Sequence, residues 1–198
     1  MNAAMQSSVS AMGMLRAASW PCHQDLERRL DVSARFGDRK SYAAHIAGMW
    51  GFCAPFEAAL GRSGLAAVLT DYASRRKLPL LTRDLQALGL SPAALPICEQ
   101  LPECQDTAAA FGCLYVFEGA SLGGQALLPL VANRLGLQPA HGAAFLASYG
   151  DQVTGMWRRF GAALEEWCES PERRATAVAA AVSTFECLGA WLCRTVPR

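Results

Sequence analysis

Apolar residues in this chain recur at spacings of three and four, and no stretch alternates β-branched with polar residues. The first period belongs to one face of a helix and the second to a half-buried strand. Ala and Leu dominate the apolar positions, and no Asn-Gly or Asp-Gly pair offers a hairpin turn. A sheet has nowhere to start, so the apolar surface must be buried by helix on helix. Helices are expected over 14–31, 39–60, 64–76, 81–89, 105–134, 142–148, 151–169 and 172–194. Breaks are expected at Phe36-Gly37-Asp38, 61–64, Leu78-Pro79, 89–96, Leu137-Gln138-Pro139 and Glu169-Ser170-Pro171. The last reads as a helix start, with Ser170 as cap and Pro171 in the first turn. No repeat or linker interrupts the pattern, so residues 13–198 are expected to form one all-α domain behind a flexible segment 1–12.

Composition narrows the function. The chain has 198 residues, 52% hydrophobic and 18% charged, against an average near 25% charged. Such a sequence is not disordered. A net charge of +1 gives no electrostatic footprint for nucleic acid or an acidic membrane. Apolar runs reach about eight residues, short of the roughly 18 that suggest a membrane span. The first twelve residues lack a basic start and a long apolar run, so no secretory signal is read. The expectation is a soluble, cytoplasmic protein. Eight cysteines occur without a CxxC or CxxCH motif. That argues against a zinc ribbon, a dithiol redox motif or covalent haem attachment and for reduced, mostly buried thiols. None has a recognisable activating context. Three histidines are too few for a multi-histidine metal site. The apolar excess needs a larger core, a partner or an apolar ligand.

One histidine stands out. Leu26 follows His23 by three residues, Leu30 by seven, and Ser19 precedes it by four, so His23 projects with the buried stripe of its helix. A core histidine bonded to a carbonyl is the ordinary reading. Glu27, one turn on, suits another: it would accept a ring N–H, fix the tautomer and free the second nitrogen as a ligand. Arg16, two turns earlier on the same face, would meet an anionic group at the rim. Pro21 inside this segment, costing about 3 kcal/mol in a helix interior, predicts a kink or a helix start. His45 also lies near an apolar stripe but has Met49, not an acid, one turn on. Cys22 points about 100° away from His23. The five tryptophans are scattered, which suits a core and not a stacking platform for bases.

The second unusual segment is 111–125, apolar and helical in period yet carrying Gly112, Gly119, Gly123 and Gly124. Each glycine costs about 0.8–1 kcal/mol relative to alanine in a helix, so their absence of side chains must serve a purpose. Two purposes fit: a helix lying flat against a large planar ligand, or tight helix–helix packing. No Gly-Lys-Ser/Thr follows and no strand precedes, which argues against a phosphate loop.

Together these segments resemble a known family. His23 with Glu27 is similar to the proximal helix of haem oxygenases. The run Tyr115-Val116-Phe117-Glu118-Gly119-Ala120-Ser121-Leu122-Gly123-Gly124-Gln125 resembles their distal helix, and most of all that of the bacterial branch found beside bacteriophytochromes. The resemblance spans about residues 12 to 195 and takes in Tyr42, Trp50, Phe52, Pro55 and Glu57. Late in the chain it includes Trp157-Arg158-Arg159-Phe160 and Thr184-Phe185-Glu186. It implies a single-domain helical bundle with haem between a proximal and a kinked distal helix.

By this resemblance His23 is the proximal iron ligand and Glu27 its orienting partner. Gly119, Gly123 and Gly124 bring the distal backbone onto the haem face. Arg16 and Arg158 hold the propionates, while Leu114, Tyr115 and Phe185 line the macrocycle. A neutral imidazole leaves one axial position for O2, and the distal crowding directs it to one meso carbon. The implied products are biliverdin, CO and ferrous iron. The chain has no flavin motif, so electrons come from a separate reductase or ferredoxin. The implied uses are bilin supply to a phytochrome or release of iron. Many relatives have aspartate after the glycine matching Gly119; here Ala120 stands there, with Ser121 beside it as a substitute through an ordered water. A non-catalytic haem carrier or sensor on the same fold is the alternative, and a helical relative with a haem-free apolar pocket is a further one.

Overall fold

The computed structural model describes residues 10–195. Among them the chain forms α1 (Ala11–Leu30), α2 (Val32–Arg35), α3 (Arg39–Leu60), α4 (Leu65–Val68), α5 (Tyr72–Arg75), α6 (Leu78–Ala87), α7 (Thr107–Leu135), α8 (Ala144–Ala147), α9 (Val153–Trp167) and α10 (Pro171–Thr195), with no strand. Only isolated bridges at Gln138 depart from the helical pattern. The expected flexible segment 1–12 lies outside the described residues as far as residue 9, while Ala11 and Met12 already belong to α1.

Local chemistry explains most boundaries. Asp38 caps α3 by accepting from the backbone N–H groups of Lys40 and Ser41, and Asp106 caps α7 through Ala109. Ser170 caps α10 as its position ahead of Pro171 predicts, accepting from Arg173 N at 3.2 Å. The Leu78-Pro79 break is instead the opening of α6. Proline is tolerated there because first-turn N–H groups have no helical partner, and the Glu57 carboxylate takes those of Lys77 and Leu78. The expected helix 64–76 is two short turns, α4 and α5. Between them the chain bends at Thr70-Asp71, which sets the Asp71 carboxylate against the guanidinium of Arg75. At Pro21 neither a start nor a stop occurs; α1 runs through it. Its missing N–H leaves the Ala17 carbonyl without a helical partner, and Ala17 lies on the exposed side of the helix.

Four long helices form the frame. α7 packs along α10, α1 lies across α10 and α9, and α3 closes the far side against α6 and α10. The start of α1 is fixed by Glu165 of α9, whose carboxylate oxygens accept from Ala11 N and Met12 N, each at 2.8 Å. Tyr42 donates to the Gly142 carbonyl at 2.8 Å and Trp191 Nε1 to that of Gly48 at 2.7 Å, so α3 is pinned in its first turn and at its middle. α7 and α10 are each long and apolar enough to cross a bilayer by length and composition alone. In the bundle the two pack along each other and against α1, α3, α8 and α9, which buries 39% and 50% of those apolar windows. All eight cysteines are free, and five are buried.

Candidate active site

A cavity of about 410 Å³ opens between α1 and α7, within the usual range for small-molecule sites. One stripe of α1 lines it: Arg16, Ser19, Trp20, His23, Leu26, Glu27 and Leu30. These spacings of three and four are what put one face of a helix on one wall. Tyr115, Val116, Gly119, Ala120 and Leu122 of α7 form the facing wall. Trp157 of α9 and Phe185 and Leu188 of α10 complete it. The result is an apolar slot with a cation, Arg16, exposed at its edge.

His23 is not satisfied within the protein. Its Nδ1 is buried with no hydrogen-bond partner, which disposes of the ordinary reading of a core histidine bonded to a carbonyl. The side chain is nonetheless 39% exposed, so the accessible part of the ring is the Nε2 side. Trp20 stacks on the imidazole at 5.5 Å between centroids and Phe185 meets it edge-on at 5.7 Å. The ring is thus held by flat contacts. Glu27 departs from the expected geometry. Its carboxylate stands 3.6 Å from Nε2, the accessible nitrogen, and is itself 63% exposed. It neither bonds Nδ1 nor fixes the tautomer in this state, because a free, solvated side chain four residues on gains little by ordering against an imidazole.

The α7 glycines divide in two. A Cβ at Gly119 or Gly123 would meet nothing within 4 Å, so these positions leave space open beside the helix. At Gly124 a Cβ would fall 2.7 Å from the Leu146 carbonyl oxygen. Gly124 therefore serves the packing of α7 on α8 and not the cavity wall. Ala120 is exposed in the cavity. Ser121 is turned away from it: its hydroxyl donates to the Phe117 carbonyl at 2.9 Å and accepts from Ser148 at 3.2 Å. Ser121 is thus not the substitute for a distal acid that its place beside Ala120 suggests.

Two further expected contacts are not made. Leu114 is on the opposite side of α7, in a buried cluster with Cys53, Phe56 and Phe117. It sits one residue from Tyr115, and neighbouring residues on a helix face 100° apart. Arg158 is exposed and not in the cavity wall; Trp157 points inward in its place. Tyr115 does line the cavity, packed on Trp157 at 5.5 Å. Burial raises the pKa of its hydroxyl, opposed by Ser19 and the Arg16 charge. Trp20, Val116, Leu122, Trp157 and Leu188 also line the cavity without being assigned to the site from sequence, although Val116 lies three residues from Gly119 and Leu188 three from Phe185. His45 lies apart, packed against Phe36 at 5.3 Å.

Behind α7 lies a buried ionic cluster. Arg75, fully buried, donates to Glu118 Oε2 at 2.6 Å, to both oxygens of Asp71, and to the Met156 carbonyl. Tyr149 donates to the other Glu118 oxygen. Lys77 lies over the Tyr149 ring at 3.7 Å, donates to Ser148 at 3.0 Å, and burial pushes its pKa down to about 8. Glu118 directly precedes Gly119, so this cluster anchors the helix whose next residue faces the cavity.

Comparison with known proteins gives the same frame. The family model described as "Heme oxygenase" matches residues 10–194. A heme oxygenase of Xanthomonas campestris pv. campestris (strain 8004) is 34% identical over 151 residues, covering 75% of this chain and 86% of the relative. The NO- and CO-bound heme oxygenase of Neisseria meningitidis superposes with a TM-score of 0.84 at 22% identity, covering 96% of this chain and 93% of the other. Heme oxygenase 2 of Chlamydomonas reinhardtii, solved without heme, gives 0.79 at 17% identity, covering 95% and 98%. The likeness runs the length of the described fold and includes both walls of the cavity, and the chain belongs to the haem oxygenase family.

Proposed function

We propose that this chain binds haem in the α1/α7 slot and cleaves it, with O2 and electrons from a separate reductase or ferredoxin, to biliverdin, CO and ferrous iron. The observation that carries this reading is His23: an imidazole with no partner inside the protein, its accessible edge facing the side of α7 that Gly119 leaves bare. Haem would supply the iron that activates O2. The residues of this chain do the rest. His23 would hold the iron, with Glu27 standing beside its Nε2. Arg16 holds a carboxylate at the rim. Tyr115, Trp157 and Phe185 shut water out of the apolar end. Among the described lining residues α7 offers the cavity no carboxylate or imidazole. Protons therefore arrive through water at the exposed edge by Ala120. That lack of a distal acid is what favours the second reading, a haem carrier or sensor.

The same reading takes the protein as cytoplasmic and places its product with a bacteriophytochrome, the branch whose distal segment it resembles, with iron release as the other use. The test is a haemin titration followed by reductant and O2. A Soret band that then gives way to biliverdin absorption supports the enzyme. A stable haem complex leaves the carrier, and no haem uptake overturns both.

A further inference from the structure

A second groove of about 410 Å³ lies between the end of α3 and the segment leading into α7. It shares no lining residue with the α1/α7 cavity. Arg62, Glu103 and Gln105 form its polar part, and Cys104 lies in it, 8% exposed. Directly behind is Cys113 in the second turn of α7, fully buried. The Cys113 sulfur stands 3.8 Å from the carbonyl oxygen of Glu103, the residue before Cys104. Cys113 therefore lies beside the turn that carries Cys104. Thr184 and Cys187 of α10 close the inner side of Cys113. A thiol in the wall of a groove beside a cation, backed by a second thiol, is the arrangement of a redox-reactive pair.

We propose that Cys104 and Cys113 form a peroxide-reactive dithiol, with Cys104 as the attacking thiolate and Cys113 as the resolving thiol. The Cys104 sulfur takes one oxygen from hydrogen peroxide as the O–O bond breaks and hydroxide leaves. The Cys113 sulfur then displaces hydroxide from the Cys104 sulfenic acid, and the Cys113 proton leaves with it as water. Two thiols and one hydrogen peroxide become one disulfide and two waters.

The division of roles follows from the surroundings. Proximity of the Cys113 thiol, with the charge of Arg62, brings Cys104 down to about 7 against the opposing effect of burial. The same proximity, with burial, pushes Cys113 up, so it keeps its proton until it resolves. Every other thiol with a shifted pKa, at Cys22, Cys53, Cys98 and Cys168, is moved upward, chiefly by burial. The disulfide would staple the loop before α7 to that helix, one residue from Gly112.

The full chain, pre-reduced and without haem, is treated with a few equivalents of hydrogen peroxide and read by intact mass and peptide mapping. The expected result is a loss of two hydrogens and a Cys104–Cys113 cross-linked peptide. Cys113→Ser should leave Cys104 as a sulfenic acid that dimedone traps, and Cys104→Ser should leave Cys113 reduced. Iodoacetamide should label Cys104 several-fold faster than Cys187 and Cys193 at neutral pH in the unaltered chain, which needs no variant to fold. Cys104 staying reduced while other thiols oxidise, joining a different cysteine, or labelling slower than Cys187 would each overturn the proposal.

Discussion

Gly112 on α7 and Ala177 on α10 leave no room for a side chain between them: a Cβ at Gly112 would stand 2.0 Å from the Ala177 carbonyl oxygen, whereas one at Gly119 would meet nothing within 4 Å. Two glycines on one helix thus have opposite reasons. Gly112→Ala forces two helices apart and should destabilise by about 3 kcal/mol, as overpacking does. Gly119→Ala removes a helix penalty and should stabilise by about 0.8–1 kcal/mol, while weakening haem uptake because the new methyl stands in the slot. Denaturant unfolding and a haemin titration on the two variants check both signs. Gly123→Leu should behave like Gly119→Ala in binding; unchanged affinity would assign the open glycines to something other than haem.

The division between these glycines was not legible in the sequence. The run 111–125 announces that a helix carries glycine for a reason, but spacing gives neither the neighbour nor its distance. Gly112 and Gly124 find backbone carbonyls contributed by α10 and α8, which no local pattern encodes. The α1 wall was more legible, because Leu26, Leu30 and Arg16 follow His23 by helical arithmetic alone. Leu114 and Ser121 failed for the converse reason. Ser121 belongs to the resembling motif and Leu114 adjoins it, yet both lie a residue or two from the positions that face the cavity, and a helix turns 100° per residue. Arg158 likewise sits one residue from Trp157, which took the inward place. The Cys104–Cys113 pair spans a loop and a helix without a CxxC spacing, so nothing in the sequence flagged it.

His23 and His45 should separate cleanly on substitution. His23 is partly exposed and bonded to nothing inside the protein, so His23→Ala should change unfolding stability by less than about 1 kcal/mol. It should also abolish the axial-histidine signature in the haem spectrum. His45→Ala empties a buried site beside Phe36 and should lower stability by about 2 kcal/mol while leaving the axial signature intact. The reverse pattern of spectra would move the ligand to His45.

Arg75 and Glu118 are both buried and bonded at 2.6 Å. Removing one partner of such a pair strands a charge, which costs about 3–5 kcal/mol. Arg75→Met should therefore lower stability by about that amount, since Glu118 keeps only Tyr149 and the more distant Lys77. Glu118→Gln should cost less, because Asp71 still holds Arg75 with two bonds. Thermal unfolding of both single variants and the double variant Arg75→Met/Glu118→Leu tests this. The double variant should lose less than the sum of the singles, and strict additivity would mean that the two side chains do not act together.

His45 gives the fold an acid-side weakness. Burial, with the charge of Arg35 adding to it, holds the folded-state pKa down at about 4 against an ordinary value of 6.5. The unfolded chain therefore takes up a proton near pH 6.5 that the folded chain refuses until about pH 4. Stability contributed by the neutral ring is complete above pH 6.5 and declines as pH falls across that window. The loss approaches about 3 kcal/mol by the lower end, from a shift of this size. Denaturant unfolding at steps between pH 7 and 4 should show the decline, and His45→Phe, which has no proton to gain, should remove that part of the slope. An equal slope in the variant would place the acid sensitivity in the carboxylates, with Asp84 as a poor candidate because burial raises its pKa in the folded state, which opposes acid loss.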